Sequence, residues 1–258
     1  LLADDMGLGK TLSALSTTKP SEKTLIIAPK SLLLNWKNEI YSTFNLANVQ
    51  IVDTLHPPKL QYDGYIITNY EQVGKFLAEF EAWNPDTLII DESHYIKNIN
   101  ARRTKYILEL SDYAGRVICL TGTPLLSRVA DLFTYFVLAG RLKPKDYYRF
   151  VNAFSNRVEK HIGGKAITTY EGIKNKDRLI EELKRFTLRR RKKDVVLPDT
   201  TETIHFLSRY VDYEGEIDFA AIAKSIPLMQ HVSALRHQTA LKKANDPLLY
   251  DFIDDILE

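Results

Sequence analysis

Residues 3–11 read Ala3-Asp4-Asp5-Met6-Gly7-Leu8-Gly9-Lys10-Thr11, a glycine-rich run that passes straight into a helical pattern. Gly7 and Gly9 let backbone N–H groups turn toward a phosphate, Lys10 can reach the outer phosphoryl oxygens of a nucleotide, and Thr11 can offer a hydroxyl to Mg²⁺. The helix that begins near Lys10 points its positive end at the same anion. The run departs from the strict G-x-x-x-x-G-K-[ST] spacing, because Asp4 stands at the first glycine. A loop of this kind joins a strand to a helix, so it predicts an α/β domain.

The sequence downstream supports that class. Short runs rich in β-branched residues recur at Thr24 to Ala28, Val49 to Asp53, Gly64 to Thr68, Thr87 to Asp91 and Arg116 to Thr121. They lack polar alternation, which is what burial on both faces of a parallel sheet produces. Helical patterns separate them at Lys10 to Thr18, Ser31 to Phe44, Tyr70 to Phe80 and Ala101 to Ser111, with Ser31 a candidate N-cap. The alternation stops after about Leu138. Residues 141–198 read as a basic, mostly helical subdomain interrupted by a Gly163-Gly164 turn whose β-branched flanks suit a small hairpin. Residues 199–258 read as an extended stretch, Thr203 to Leu207, and a final helical region. The expected organisation is a nucleotide-binding lobe at 1–140, the basic subdomain at 141–198, and a linker with a helix at 199–258.

Composition narrows the class. Of 258 residues, 45% are apolar and 26% charged, a globular balance that excludes whole-chain disorder. The apolar runs are strand-sized, far short of the roughly 20 residues of a membrane span, so no membrane partner is expected. A single cysteine, Cys119, excludes an intramolecular disulfide framework and fits a reducing compartment, cytoplasmic or nuclear. The net charge of +2 hides a strong asymmetry: residues 141–198 carry 17 Lys/Arg against 7 Asp/Glu, a net of +10, and the remainder carries −8. Such a segment commonly faces a polyanion.

Two further motifs end predicted strands. In Leu88-Ile89-Ile90-Asp91-Glu92-Ser93-His94, Asp91 is placed to hold Mg²⁺ and Glu92 to orient or deprotonate the attacking water, adjacent residues of an extended chain pointing opposite ways. In Val117-Ile118-Cys119-Leu120-Thr121-Gly122-Thr123-Pro124, Thr121 and Thr123 can hydrogen-bond the acidic motif and pass on the state of the nucleotide. The C-terminal strand ends of a parallel sheet share one edge, where all three motifs meet. Trp36 invites an aromatic stacking role, but its place on an apolar helix face fits the core.

Six blocks carry a resemblance: "LADDMGLGKT" (2–11), "LIIAPKSLLLNWKNEI" (25–40), "IITNYEQV" (66–73), "LIIDESHYIKN" (88–98), "VICLTGTPLLSRVADLFTYF" (117–136) and "FTLRRRKKDVVLPDTTETI" (186–204). Together they resemble the superfamily 2 helicase-like ATPases, and within them the Snf-type (switch/sucrose non-fermentable) DNA translocases. The Asp-Glu-Ser-His form and "LLSRVADL" look most like the annealing-helicase branch and related bacterial or phage enzymes. Ser127 stands where many nucleosome remodellers have asparagine.

The resemblance implies a RecA-like P-loop sheet flanked by helices, with a mostly helical insertion. It implies ATP and Mg²⁺ as cofactors and double-stranded or forked DNA, gripped by its backbone, as partner. Asp5, Met6, Gly7, Leu8, Gly9, Lys10 and Thr11 look like the nucleotide loop, with Lys10, Asp91 and Glu92 catalytic and Thr11 and Asp91 on the metal. His94, Thr121, Gly122 and Thr123 look like coupling elements. Pro29, Lys30 and Ser31, then Thr68, Asn69 and Tyr70, align with two DNA-tracking motifs. Arg189, Arg190 and Lys192 align with an arginine-rich block that touches DNA or braces lobe against lobe.

Enzymes of this kind work in a cleft between two RecA-like lobes. The adenine-holding segment and the arginine-bearing second lobe are therefore expected outside these 258 residues, which alone would hydrolyse ATP feebly. A motor subunit of a restriction or RNA-processing system, or a non-catalytic nucleic-acid-binding scaffold, are the alternatives.

Overall fold

The computed structural model describes residues 1–45, 47–59, 63–122, 128–162 and 165–192. All five predicted runs become strands of one parallel sheet: β1 (Lys23–Ala28), β2 (Val49–Val52), β3 (Gly64–Asn69), β4 (Thr87–Ile90) and β5 (Arg116–Cys119), in the order β2-β3-β1-β4-β5. The register pairs Ala28 with Asn69, Ile27 with Ile90 and Ile90 with Cys119, so these strands end level with one another. The sheet continues past β5. Leu2 bridges Leu120 on one side and Leu188 on the other, both in parallel. Leu2 thereby joins the sheet just ahead of the phosphate loop.

The sheet is covered on both faces, which is why its strands carry no polar alternation. Ile26, Ala28, Ile67 and Ile89 face helices α1 (Lys10–Leu15) and α2 (Leu33–Thr43), which bury Leu15, Trp36 and Ile40 against them. Leu25, Ile27, Leu88 and Ile90 point the other way, into a larger cluster with α3 (Tyr70–Val73), α4 (Leu77–Trp83), α5 (Arg102–Ser111) and α6 (Phe133–Leu138). The helix expected over Tyr70 to Phe80 is broken near Gly74. A Cβ at Gly74 would lie 2.3 Å from the Tyr106 ring, so the glycine admits α5 at close range.

Ser31 is not the N-cap that its sequence position predicts. A 3₁₀ turn at Lys30–Leu32 precedes α2, whose N-cap is Leu32 with no side-chain bond. Proline at 29, with ψ of 144°, turns the chain out of β1 and the 3₁₀ turn delays the helix by two residues.

Residues 1–198 form one compact unit. Helix α7 (Tyr147–Phe154) sends Phe150, Val151 and Phe154 into the larger cluster, joined there by Leu179 of α8 (Lys176–Lys184). The hairpin is larger than expected. Strands β6 (Asn156–Ile162) and β7 (Lys165–Glu171), seven residues each, pair antiparallel between the two helices. The Gly163-Gly164 turn and everything expected beyond residue 192 lie outside the described residues. Among the described residues, no helix is long and apolar enough to cross a membrane.

Candidate functional site

The phosphate loop turns on two glycines in the left-handed region, Gly7 (φ 83°) and Gly9 (φ 71°), the latter serving as N-cap of α1. That region strains any residue with a Cβ, and it turns consecutive N–H groups toward one side. Nothing lies within 4 Å of the position a Cβ would take on Gly9, so the cradle is open. Lys10 Nζ donates to the carbonyls of Asp4 (2.9 Å) and Asp5 (3.1 Å), which folds the ammonium across the loop.

Asp4 explains the departure from the glycine pattern. Its buried carboxylate accepts the Arg190 backbone N–H at 2.7 Å through Oδ1, and the Arg190 side chain through Oδ2, with Nε at 2.9 Å and a closer second nitrogen. The bond to Asp4 pushes the Arg190 guanidinium above its ordinary value. Arg189 stands 3.9 Å from Asp5, whose Oδ2 accepts the Lys192 backbone N–H at 3.1 Å. The basic block therefore runs along the phosphate loop as its outer neighbour.

The acidic motif turns sharply where β4 ends. Glu92 occupies the left-handed region (φ 47°, ψ 48°), so Asp91 and Glu92 are separated by a strained turn and not by the alternation of an extended strand. Asp91 is buried. Its Oδ2 accepts from the indole Nε1 of Trp36 at 2.8 Å and its Oδ1 from the Glu92 N–H at 2.9 Å. Burial raises its proton affinity, and the Trp36 bond, the Glu92 N–H and the Lys10 charge pull the other way. Glu92 Oε2 sits 3.0 Å from His94 Nδ1, although that nitrogen makes no directed hydrogen bond.

The third motif is tied to the other two. Ser93 N–H donates to the Leu120 carbonyl (2.8 Å), and Thr121 N–H to the Leu2 carbonyl (3.1 Å). Ser93 Oγ lies 3.0 Å from the Leu120 carbonyl and 3.2 Å from the Tyr135 hydroxyl. A Cβ on Gly122 would come within 3.1 Å of Met6 and 3.8 Å of Lys10 Nζ, so the turn after β5 lies directly over the loop. Thr123 and Ser127 lie outside the described residues.

The two expected DNA-tracking motifs fare differently. Lys30 and Ser31 are exposed after β1, with Pro29 partly so. Thr68, Asn69 and Tyr70 are buried. Thr68 donates to the Val52 carbonyl (3.1 Å), Asn69 caps α3, and the Tyr70 hydroxyl donates to the Asp91 carbonyl (2.5 Å). Tyr70 also stacks on Tyr95 at 5.3 Å, and Tyr95 on His94 at 4.8 Å. A cavity of about 590 Å³ flanks β2 and the start of β3. It lies away from the strand ends that carry this chemistry.

The donor set suits a magnesium nucleotide. Gly7 and Gly9 could cradle phosphates, Lys10 could offer its cation, and the oxygens of Thr11 and Asp91 are of the hard kind that could hold Mg²⁺. A family model described as the SNF2-related domain matches residues 1–213. The chain belongs to that family.

Known proteins similar to this SNF2-related domain include a Caenorhabditis elegans homolog of SWI/SNF-related matrix-associated actin-dependent regulator of chromatin subfamily A-like protein 1. It is 32% identical over 218 residues, covering 81% of this chain and 31% of that protein. The human DNA annealing helicase and endonuclease ZRANB3 is 28% identical, covering 76% of this chain and 19% of its own length. Among solved structures, the Sulfolobus solfataricus SWI2/SNF2 ATPase core in complex with dsDNA aligns with a TM-score of 0.57 and 29% identity, over 75% of this chain and 40% of that one. The domain thus spans a third or less of the length of these two curated relatives. They are animal proteins and the structure is archaeal, so a bacterial or phage source gains no support.

Trp36 is the residue of the site that its helical position conceals. In this SNF2-related domain it is core by burial, yet its N–H fixes the rotamer of Asp91. The available signal is chemical: a buried indole needs an acceptor, and an acid at a strand tip is one.

Proposed function

We propose that this chain is the ATP-binding lobe of a DNA-dependent ATPase that moves on duplex DNA and remodels or reanneals it. The observation that carries the reading is that the phosphate loop and the acidic motif share one sheet edge: Leu2, ahead of the loop, bridges Leu120, β4 ends at Ile90 level with Cys119, and a Cβ on Gly122 would lie 3.8 Å from Lys10 Nζ. Lys10 and the loop N–H groups hold the phosphates. Thr11 and Asp91 would hold Mg²⁺, which neutralises charge on the outer phosphates as they separate. Asp91 is kept ready by two donors, one to each oxygen. Glu92, aimed by the left-handed turn and placed beside His94, positions the attacking water and accepts its proton. Met6 lies beside Gly122, so a change in the loop can reach the turn after β5 that bears Thr121.

Lys30 and Ser31 are the tracking residues that remain open to a DNA phosphate. In this reading a second RecA-like lobe supplies the arginine finger, worth about 10³–10⁵ in rate, which sets a low ceiling on turnover by these residues alone. The similarity of the chain to a core described with dsDNA supports DNA as the polymer. The lone, buried thiol of Cys119 supports an intracellular setting.

The test is a pair of variants in the full-length protein. Glu92→Gln should retain ATP affinity and lose hydrolysis by about 10²-fold or more, whereas Lys10→Ala should lose ATP binding. Duplex DNA should stimulate wild-type turnover. An unchanged rate in Glu92→Gln overturns the motor assignment, and stimulation by RNA in place of DNA moves it to an RNA-processing motor.

A further inference from the structure

Helices α7 and α8 and the segment after α6 enclose a cavity of about 300 Å³ that the nucleotide site does not use. Its rim holds four guanidinium groups, those of Arg141, Arg149, Arg178 and Arg185, and its floor is aromatic and includes Phe154. The four arginines are exposed. Arg178 sits 5.9 Å above the Phe154 ring. Among the described residues lining the cavity one carboxylate appears, Glu182, and it lies 3.4 Å from Arg185. Three guanidinium groups thus face the cavity without a carboxylate on its wall to match them.

Like charges converging on an apolar floor repel one another unless an anion joins them. Guanidinium presents paired donors in a plane that matches phosphate, and an aromatic floor excludes water from one side of such a contact. The surroundings are predominantly basic, although Asp146, Asp177 and Glu181 lie among them. Lys143, Lys145, Lys174 and Lys176 are exposed just before α7 and around the start of α8, within the segment whose net charge is +10.

We propose that this arginine-rimmed cavity grips a backbone phosphate of duplex DNA, as an anchor separate from the strand-edge tracking residues. The proposal rests on the DNA-motor reading and adds to it a second, sequence-independent hold on the polymer.

The experiment measures binding of this chain to a short labelled duplex by fluorescence anisotropy across a salt series. Arg149→Glu/Arg178→Glu should weaken binding about tenfold or more at low salt and flatten the plot of log affinity against log salt by about one unit or more. ATP affinity should not change. Glu182→Gln should tighten binding, a gain that misfolding cannot imitate. If wild type binds the duplex and both variants match it in affinity and slope, the cavity proposal is overturned while the motor reading stands. If wild type does not bind the duplex at all, the DNA reading falls and the proposal with it. Inorganic phosphate provides the remaining arm. Should it raise the melting temperature of wild type but not of the double variant, with duplex binding equal in both, the cavity is a free-anion site and the proposal is overturned.

Discussion

The indole Nε1 of Trp36 donates a 2.8 Å hydrogen bond to Oδ2 of Asp91, joining the helix after β1 to the acid at the end of β4. The bond favours the ionised carboxylate against the burial that disfavours it. Trp36→Phe keeps the packing and removes the donor. Because the lost bond serves the charged form, the destabilisation should grow as pH rises through the Asp91 titration, toward about 1.5–3 kcal/mol. Urea unfolding of wild type and variant at mildly acidic and at neutral pH measures this. Since burial raises the folded pKa above 3.8, wild-type folding itself binds a proton here. This contribution of Asp91 to stability is fullest below the unfolded pKa and is lost as pH rises through the folded one. A pH-independent Trp36→Phe penalty would mean that the indole only fills space.

The pairing of Trp36 with Asp91 also marks the limit of what one dimension discloses. Strands such as Leu25 to Ala28 and Leu88 to Ile90 are legible because burial on both faces leaves an uninterrupted apolar run. The phosphate loop and the acidic motif are legible because their residue types are unusual at strand ends. Burial of Trp36 follows from the α2 pattern, but its acceptor lies 55 positions away and depends on how α2 crosses the sheet. Asp4 and Arg190 are 186 positions apart, and no local rule links them. Thr68, Asn69 and Tyr70 look like surface residues because polar side chains after a strand usually are; here each is consumed by a backbone group nearby.

Arg190 is bound to the phosphate loop through Asp4, and this makes a prediction opposite to that of a DNA contact. Arg190→Ala leaves the Asp4 carboxylate buried without its guanidinium, so the melting temperature should fall and ATP affinity weaken, by about tenfold if one charge-assisted bond orders the loop. Arg190→Lys should be intermediate, because an ammonium cannot reproduce the forked geometry. Asp4→Asn/Arg190→Ala should regain part of the lost melting temperature. Titration with ATP and with duplex DNA separates the roles: a loss confined to DNA affinity would return Arg190 to the polymer interface.

Glu92 has a left-handed backbone with a Cβ, a conformation that costs about 1–2 kcal/mol relative to its relaxed form. Glu92→Gly relieves that strain, whereas Glu92→Gln keeps it. The glycine variant should therefore melt higher than the glutamine variant, by ~2–4 °C for each kcal/mol recovered, while both fail to hydrolyse ATP. Calorimetry beside a phosphate-release assay tests this. Equal melting temperatures would show that the turn is relaxed.

Tyr70 places the two accounts of the second tracking motif in direct conflict. A residue that touches DNA should, when shortened, change polymer affinity and leave the nucleotide site alone. Tyr70 is instead buried beneath Tyr95 with its hydroxyl on the Asp91 carbonyl, and burial holds its phenol well above the ordinary tyrosine range. Tyr70→Phe keeps the ring stack that runs through Tyr95 to His94 and deletes one donor. The stranded carbonyl should cost about 1–3 kcal/mol of stability. It should also loosen the peptide that orients Glu92, so the hydrolysis rate falls with little change in DNA affinity. Stopped-flow phosphate release and duplex anisotropy on the same preparation decide between the accounts. Weaker DNA binding at an unchanged hydrolysis rate would mean that the ring turns outward when the polymer arrives.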